Sequence, residues 1–76
     1  MTPAQCRAAR ALIGLTQTEL AQRAEIGLST IVDFEKERRK VSSATIESLR
    51  NSLQEIGIVF LCGEIVGVGV EKGSKE

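Results

Sequence analysis

Thr16-Gln-Thr-Glu-Leu-Ala-Gln-Arg-Ala-Glu-Ile-Gly-Leu-Ser-Thr-Ile-Val-Asp-Phe-Glu35 decides the fold of this chain. Thr16 and Glu19 have the spacing of a capping box, in which hydroxyl and carboxylate each satisfy a backbone N–H at a helix start. The helix they open is expected to end near Ala24, with Leu20, Ala21 and Ala24 on its inner face. Ala21 is small enough to let a second helix cross closely. Glu25 falls where a sharp turn needs positive φ, which costs a non-glycine residue about 1 kcal/mol. A further helix is expected from about Leu28 to about Lys36. Ile31 and Phe34 face inward, Ser29, Thr30 and Asp33 face outward, and Ile26 and Ile31 plug the angle between the helices. Periodicity alone fits two arrangements equally. One is an ordinary αα-hairpin in a small bundle; the other is a helix-turn-helix whose second helix enters a DNA groove.

Upstream, Thr2-Pro3-Ala4-Gln5 opens another helix: Thr2 can cap, Pro3 suits the first helical position and Gln5 can return the bond. Cys6, Ala9 and Ile13 repeat on one face with Leu12 beside them, and Gly14 ends the helix in the left-handed conformation. Downstream, Ser42 or Ser43 caps a fourth helix with an apolar stripe of Ile46, Leu49, Leu53 and Ile56, closed by Gly57. Residues 1–57 are thus expected to form the helical domain.

Beyond Gly57 the pattern turns β-like. Ile58-Val-Phe-Leu-Cys62 and Ile65-Val-Gly-Val-Gly-Val70 flank Gly63-Glu64, a two-residue hairpin turn, so 58–71 is expected to be a hairpin. Ile58, Phe60 and Cys62 share one face, Val59 and Leu61 the other. Both faces are apolar, so both are expected to be buried. A helical bundle covers only one, and a lone hairpin is marginally stable. Val66, Val68 and Val70 line one face of the second strand, while Gly67 and Gly69 leave room for a close backbone. The expectation is a homodimer through Ile58, Val59, Phe60, Leu61, Val66, Val68 and Val70, against a monomer with the hairpin packed on its own bundle. Residues 72–76 are expected to be a disordered tail.

Composition narrows the function classes. The 76 residues suit one domain. Ten basic residues balance ten acidic ones, which counts against a strong non-specific nucleic-acid binder. Lys36, Arg38, Arg39 and Lys40 nevertheless cluster around Glu37. Such a run alone reads as a solvated loop; its position beside the third helix gives it a functional reading. Two cysteines and no histidine cannot make a zinc site, so no metal or other cofactor is expected. Cys6 falls on an apolar stripe and reads as core. With no nucleophile–base pair and no glycine-rich phosphate loop, an enzyme is not expected. The thiols fit a reducing cytoplasm. The start lacks the pattern of a signal peptide, and the longest apolar run, 58–62, is too short to span a membrane.

Arg10, Leu15-Thr-Gln-Thr-Glu-Leu-Ala21, Ala24, Ile26, Ser29-Thr-Ile31, Phe34-Glu35 and the helix after Ser43 resemble the phage-repressor-like (Xre or Cro/C1-type) helix-turn-helix family. Ala4-Gln-Cys-Arg-Ala-Ala-Arg-Ala-Leu12 and Gly57-Ile-Val-Phe60 look like a subgroup of short bacterial regulators ending in a β-hairpin. The resemblance implies a mainly α fold: a lambda-repressor-like bundle of four helices with a C-terminal hairpin. It implies double-stranded DNA as partner and a sequence-specific transcriptional regulator, expected to be a dimeric repressor. An antitoxin or antiactivator acting on a protein partner is the alternative.

Carried over by position, the resemblance assigns base contacts to Gly27, Leu28, Ser29 and Asp33. It assigns phosphate contacts to Gln17, Thr30, Arg38, Arg39, Lys40 and Ser43. Arg10 and Glu35 match a structural ion pair. Leu28 could pack on a thymine methyl, or on Val32 or a nearby loop. Asp33 could accept from a cytosine amino group, or pair with Lys36 or Arg23. Gly27 stands where the family often has Ser or Thr, and the base-reading face lacks the Gln, Asn or Arg that make bidentate contacts. Readout is therefore expected to lean on shape and water.

Overall fold

A computed structural model of the chain describes residues 1–61 and 67–70. The order is α1 (Pro3–Ile13), α2 (Gln17–Ala24), α3 (Leu28–Glu35), α4 (Ser43–Glu55), β1 (Ile58–Leu61) and β2 (Gly67–Val70). This is the expected bundle of four helices followed by a hairpin.

The helix ends follow the local signals. Thr2 with Gln5 and Thr16 with Glu19 each form a complete capping box. Ser42, rather than Ser43, caps α4 by accepting from the Thr45 N–H. Gly14 closes α1 at φ 67° and Glu25 closes α2 at φ 56°. A third left-handed residue, Glu37 at φ 56°, was not legible in the sequence. It follows α3, where the Glu37 N–H bonds to Phe34 O and the Arg38 N–H to Asp33 O. These bonds satisfy α3's last carbonyls and turn the chain back over the helix.

The core is drawn from every helix. Cys6 and Ala9 of α1 meet Leu20, Ala21, Ile31, Phe34, Leu49 and Leu53, joined by Val41 and by Ile58 of the hairpin. Leu12, expected beside the α1 stripe, lies beyond its edge and is exposed.

The hairpin lies against α1 and α4. Its strands pair antiparallel, Ile58 opposite Val70 and Leu61 opposite Gly67. A two-residue turn at Gly63-Glu64 would set Leu61 opposite Val66, so the pairing is one residue away from that expectation; residues 62–66 themselves lie outside those described. Ile58, Phe60 and Val68 face the bundle and pack on its core. The bundle thus supplies apolar surface to this face of the hairpin. Val59 and Leu61 point away, 42% and 46% exposed, and Val70 is also exposed. Val66, Cys62 and the tail 72–76 lie outside the described residues.

Gln5 fastens the hairpin to the bundle. Its Oε1 accepts from the Thr2 N–H, completing the capping box. Its Nε2 donates to Leu61 O at 2.9 Å and to Gly67 O at 2.8 Å, one carbonyl on each strand. Arg50 of α4 sits over the Phe60 ring, 5.8 Å from its centroid.

Candidate nucleic-acid interface

α3 is anchored from inside by Glu35, whose side chain is 2% exposed. Arg10 of α1 meets it with two N–H groups, Nε to Oε2 at 2.7 Å and Nη2 to Oε1 at 2.6 Å. The Cys6 Sγ donates to Oε2 at 3.1 Å and the Gln17 Nε2 to Oε1 at 3.0 Å. Burial would raise the Glu35 pKa, but these donors outweigh it and hold the carboxyl below its usual value. Burial, with the adjacent carboxylate, pushes the Cys6 thiol up, so it stays protonated and donates. Arg10 also reaches Leu15 O through Nη1. Arg7 donates to the Glu35 carbonyl, placing a cation at the C-terminus of α3 where the helix dipole favours it. α1 and the start of α2 are thereby locked to α3.

The opposite face of α3 is open. Leu28 and Ser29 are exposed in its first turn. Gly27 caps it without a side-chain bond. A Cβ at Gly27 would meet only Thr30 Oγ1 at 3.9 Å, so the space there accepts a side chain. Thr30 and Asp33 lie partly buried one turn apart. Arg39 reaches back from the loop and donates Nε to Asp33 Oδ2 at 2.8 Å and Nη2 to Thr30 Oγ1 at 3.3 Å. The partner of Asp33 is therefore Arg39, not Lys36 or Arg23. The left-handed turn at Glu37 brings the loop over α3 and Arg39 within reach of Asp33, whereas Lys36 serves as the C-cap through its backbone and its side chain makes no ion pair with Asp33.

Cations surround this face. Lys36, Arg38 and Lys40 are exposed and make no ion pair among the described residues. Lys40, Val41, Ser42, Ser43 and Ile46 line a shallow depression at the start of α4. The backbone N–H groups at the starts of α2 and α4 are natural donors to an anion. Gln17, at the start of α2, spends one amide N–H on Glu35 and keeps the other.

A family model described as helix-turn-helix matches residues 7–61. The chain belongs to the phage-repressor-like helix-turn-helix family. No curated protein matches it. In this family α2 and α3 form the helix-turn-helix, and the chain is a DNA-binding regulator of that type.

The structure brings Gly27, Leu28, Ser29, Thr30, Asp33 and Arg39 together on or beside α3, with Gln17 reaching the same helix from α2. Arg38, Lys40 and Ser43 follow along the loop into α4. Several contacts were missed in the sequence, among them Cys6 and Gln17 on Glu35, Arg7 on the Glu35 carbonyl, Arg39 on Asp33, and Gln5 on the hairpin. Helical spacing offers no signal for any of them, because each joins separate elements. Among the described residues no His, Cys, Asp or Glu group could hold a metal ion, and no helix is long and apolar enough to cross a membrane.

Proposed function

We propose that this helix-turn-helix protein is a sequence-specific regulator of transcription that represses as a homodimer on a two-fold DNA site. The observation that carries the reading is the outer face of α3. It is exposed, free of packing duties and flanked by Lys36, Arg38 and Lys40, while the inner face is locked by Glu35. In this reading Leu28 packs on a thymine methyl and Ser29 hydrogen-bonds a base edge. Gln17, Arg38, Lys40 and Ser43 hold phosphates in the same reading, which sets register rather than sequence.

The dimer reading rests on the outward face of the hairpin. Val59 and Leu61 form an apolar ridge there, and Gly69 and Gly67 stand opposite them in the pairing. A Cβ at Gly69 would meet nothing within 4 Å. Leu61 Cδ1 lies 3.7 Å from where a Cβ at Gly67 would stand, so the open groove is at Gly69 beside the Val59 ridge, and a ridge beside a groove suits a two-fold contact. A double variant, Val59→Lys with Leu61→Glu, alters only exposed side chains. By light scattering it should be monomeric where the unaltered chain is dimeric; a dimer that persists would sink this part.

The direct test of function is a footprint of the purified protein on its own upstream DNA at near-physiological salt. The expected result is a protected site with dyad symmetry, its half-sites about one helical turn apart. Retention that is weak, sequence-blind and erased by modest salt would reject sequence-specific binding at that site.

A further inference from the structure

Arg39 is held along one edge and left open at its end. Nε and Nη2 lie on the same edge of the planar guanidinium, and both are taken by α3, through Asp33 and Thr30. Three N–H groups remain, two on Nη1 and one on Nη2, and one from each nitrogen lie side by side at the tip of the fork. None of them has an acceptor among the described residues. The side chain is 53% exposed although it is fixed at two points.

Two parallel N–H donors match the O6 and N7 acceptors that guanine presents in the major groove. The same fork also matches two phosphate oxygens, so where the guanidinium is held decides between them. Here two acceptors one turn apart hold the guanidinium in a fixed plane against the helix expected to enter the groove. The same contacts resolve a difficulty: the Asp33 carboxylate would repel phosphates, but its charge is met by Arg39.

We propose that Arg39 reads a guanine in the major groove through its Nη1 and Nη2 donors, with Asp33 and Thr30 as positioning residues. This rests on the DNA-binding reading of α3 and deepens it. α3 itself carries no Gln, Asn or Arg, and the loop after it supplies the bidentate donor. Asp33 thereby gives up its reading as a cytosine contact, and Arg39 its reading as a phosphate contact.

The test is selection from a randomised duplex library by the full chain and by Arg39→Lys, Arg39→Ala and Asp33→Ala, at one salt concentration, followed by sequencing. The unaltered protein should enrich a symmetric site with a guanine at one fixed position in each half. Arg39→Ala should lose that preference, on the order of tenfold or more, and Arg39→Lys, which has no planar fork for Asp33 and Thr30 to hold, should keep only part of it. Arg39→Lys should keep its affinity for non-specific duplex and its salt dependence, because the charge remains. Asp33→Ala removes a negative charge and frees the guanidinium. It should bind non-specific duplex more tightly while its guanine preference falls.

An Arg39→Ala protein that binds every sequence more weakly with an unchanged consensus, the mark of a phosphate contact, would overturn the assignment. Undiminished preference in Asp33→Ala would remove its positioning role. Failure of the unaltered protein to enrich any sequence would instead sink the DNA-reading function, and this inference with it.

Discussion

α3 holds two acidic residues two positions apart, and each meets an arginine. Glu35 faces inward, 2% exposed, against an Arg10 that is 19% exposed. Asp33 faces outward, 25% exposed, against an Arg39 that is 53% exposed. The chemistry is the same and the distances are similar, 2.6 Å and 2.8 Å. The surroundings differ. Glu35 has lost nearly all its water and depends on protein donors, so removing one leaves a buried charge exposed to its full desolvation cost. Asp33 and Arg39 can exchange each other for water at little cost. One arginine builds the fold; the other adds little to stability and keeps donors open for a ligand while Asp33 and Thr30 hold it.

The sharpest way to break this contrast is Arg10→Ala. It strands the Glu35 carboxylate and should cost about 3–5 kcal/mol. That is a large part of what a domain of this size holds in total, roughly 4–11 kcal/mol. Urea unfolding followed by far-UV circular dichroism should show most of the stability gone. A loss below about 1 kcal/mol would mean that Glu35 is solvated after all.

Acid should act on the same group. The folded state holds the Glu35 carboxyl below its usual value, so the unfolded chain takes up its proton first. This contribution is complete above about pH 4.3 and is lost as pH falls through the folded-state pKa. Urea midpoints measured from pH 7 to pH 3 should decline at the acid end. Glu35→Gln, which no longer titrates, should flatten that limb, and an unchanged limb would assign acid sensitivity to other carboxylates.

A smaller effect is expected at Gln5→Leu, about 1–3 kcal/mol, because two strand carbonyls lose their donor. Hydrogen exchange should quicken in β1 and β2 before it does in α4. Uniform quickening would show that the clamp supports the whole bundle rather than the hairpin alone. Smallest of all, Asp33→Ala and Arg39→Ala should each shift stability by less than about 1 kcal/mol. A larger loss in the same urea assay would remove the distinction between the two arginines.

The bundle was legible because its signals are local. Thr2 with Gln5, Thr16 with Glu19, Gly14 and the apolar stripes all act within a turn or two of helix. The strain at Glu25 could also be placed, since a sharp turn had to follow Ala24. Gln5 shows where such reading stops. Its capping role uses the side-chain oxygen, and nothing in the spacing tells that its nitrogen reaches carbonyls 56 and 62 positions away. Asp33 shows the same limit over a shorter distance. Helical spacing offered Lys36, but the left-handed Glu37 turned the loop and delivered Arg39. In the hairpin, a one-residue difference in pairing rests on the connection between the strands, which alternation of apolar residues does not specify.

Cys6 gives this fold a built-in clock. The chain has neither Trp nor Tyr, so it has little optical signal of its own. Cys6, however, is fully buried, and its protonated thiol is bonded to the most protected carboxylate in the bundle. A thiol reagent can reach it only when α1 parts from α3. In a Cys62→Ser chain, the rate at which Cys6 is labelled counts those openings. Slower labelling when duplex is added would register DNA binding as fewer excursions of the protein's interior, without a dye, a tag or a substituted core residue.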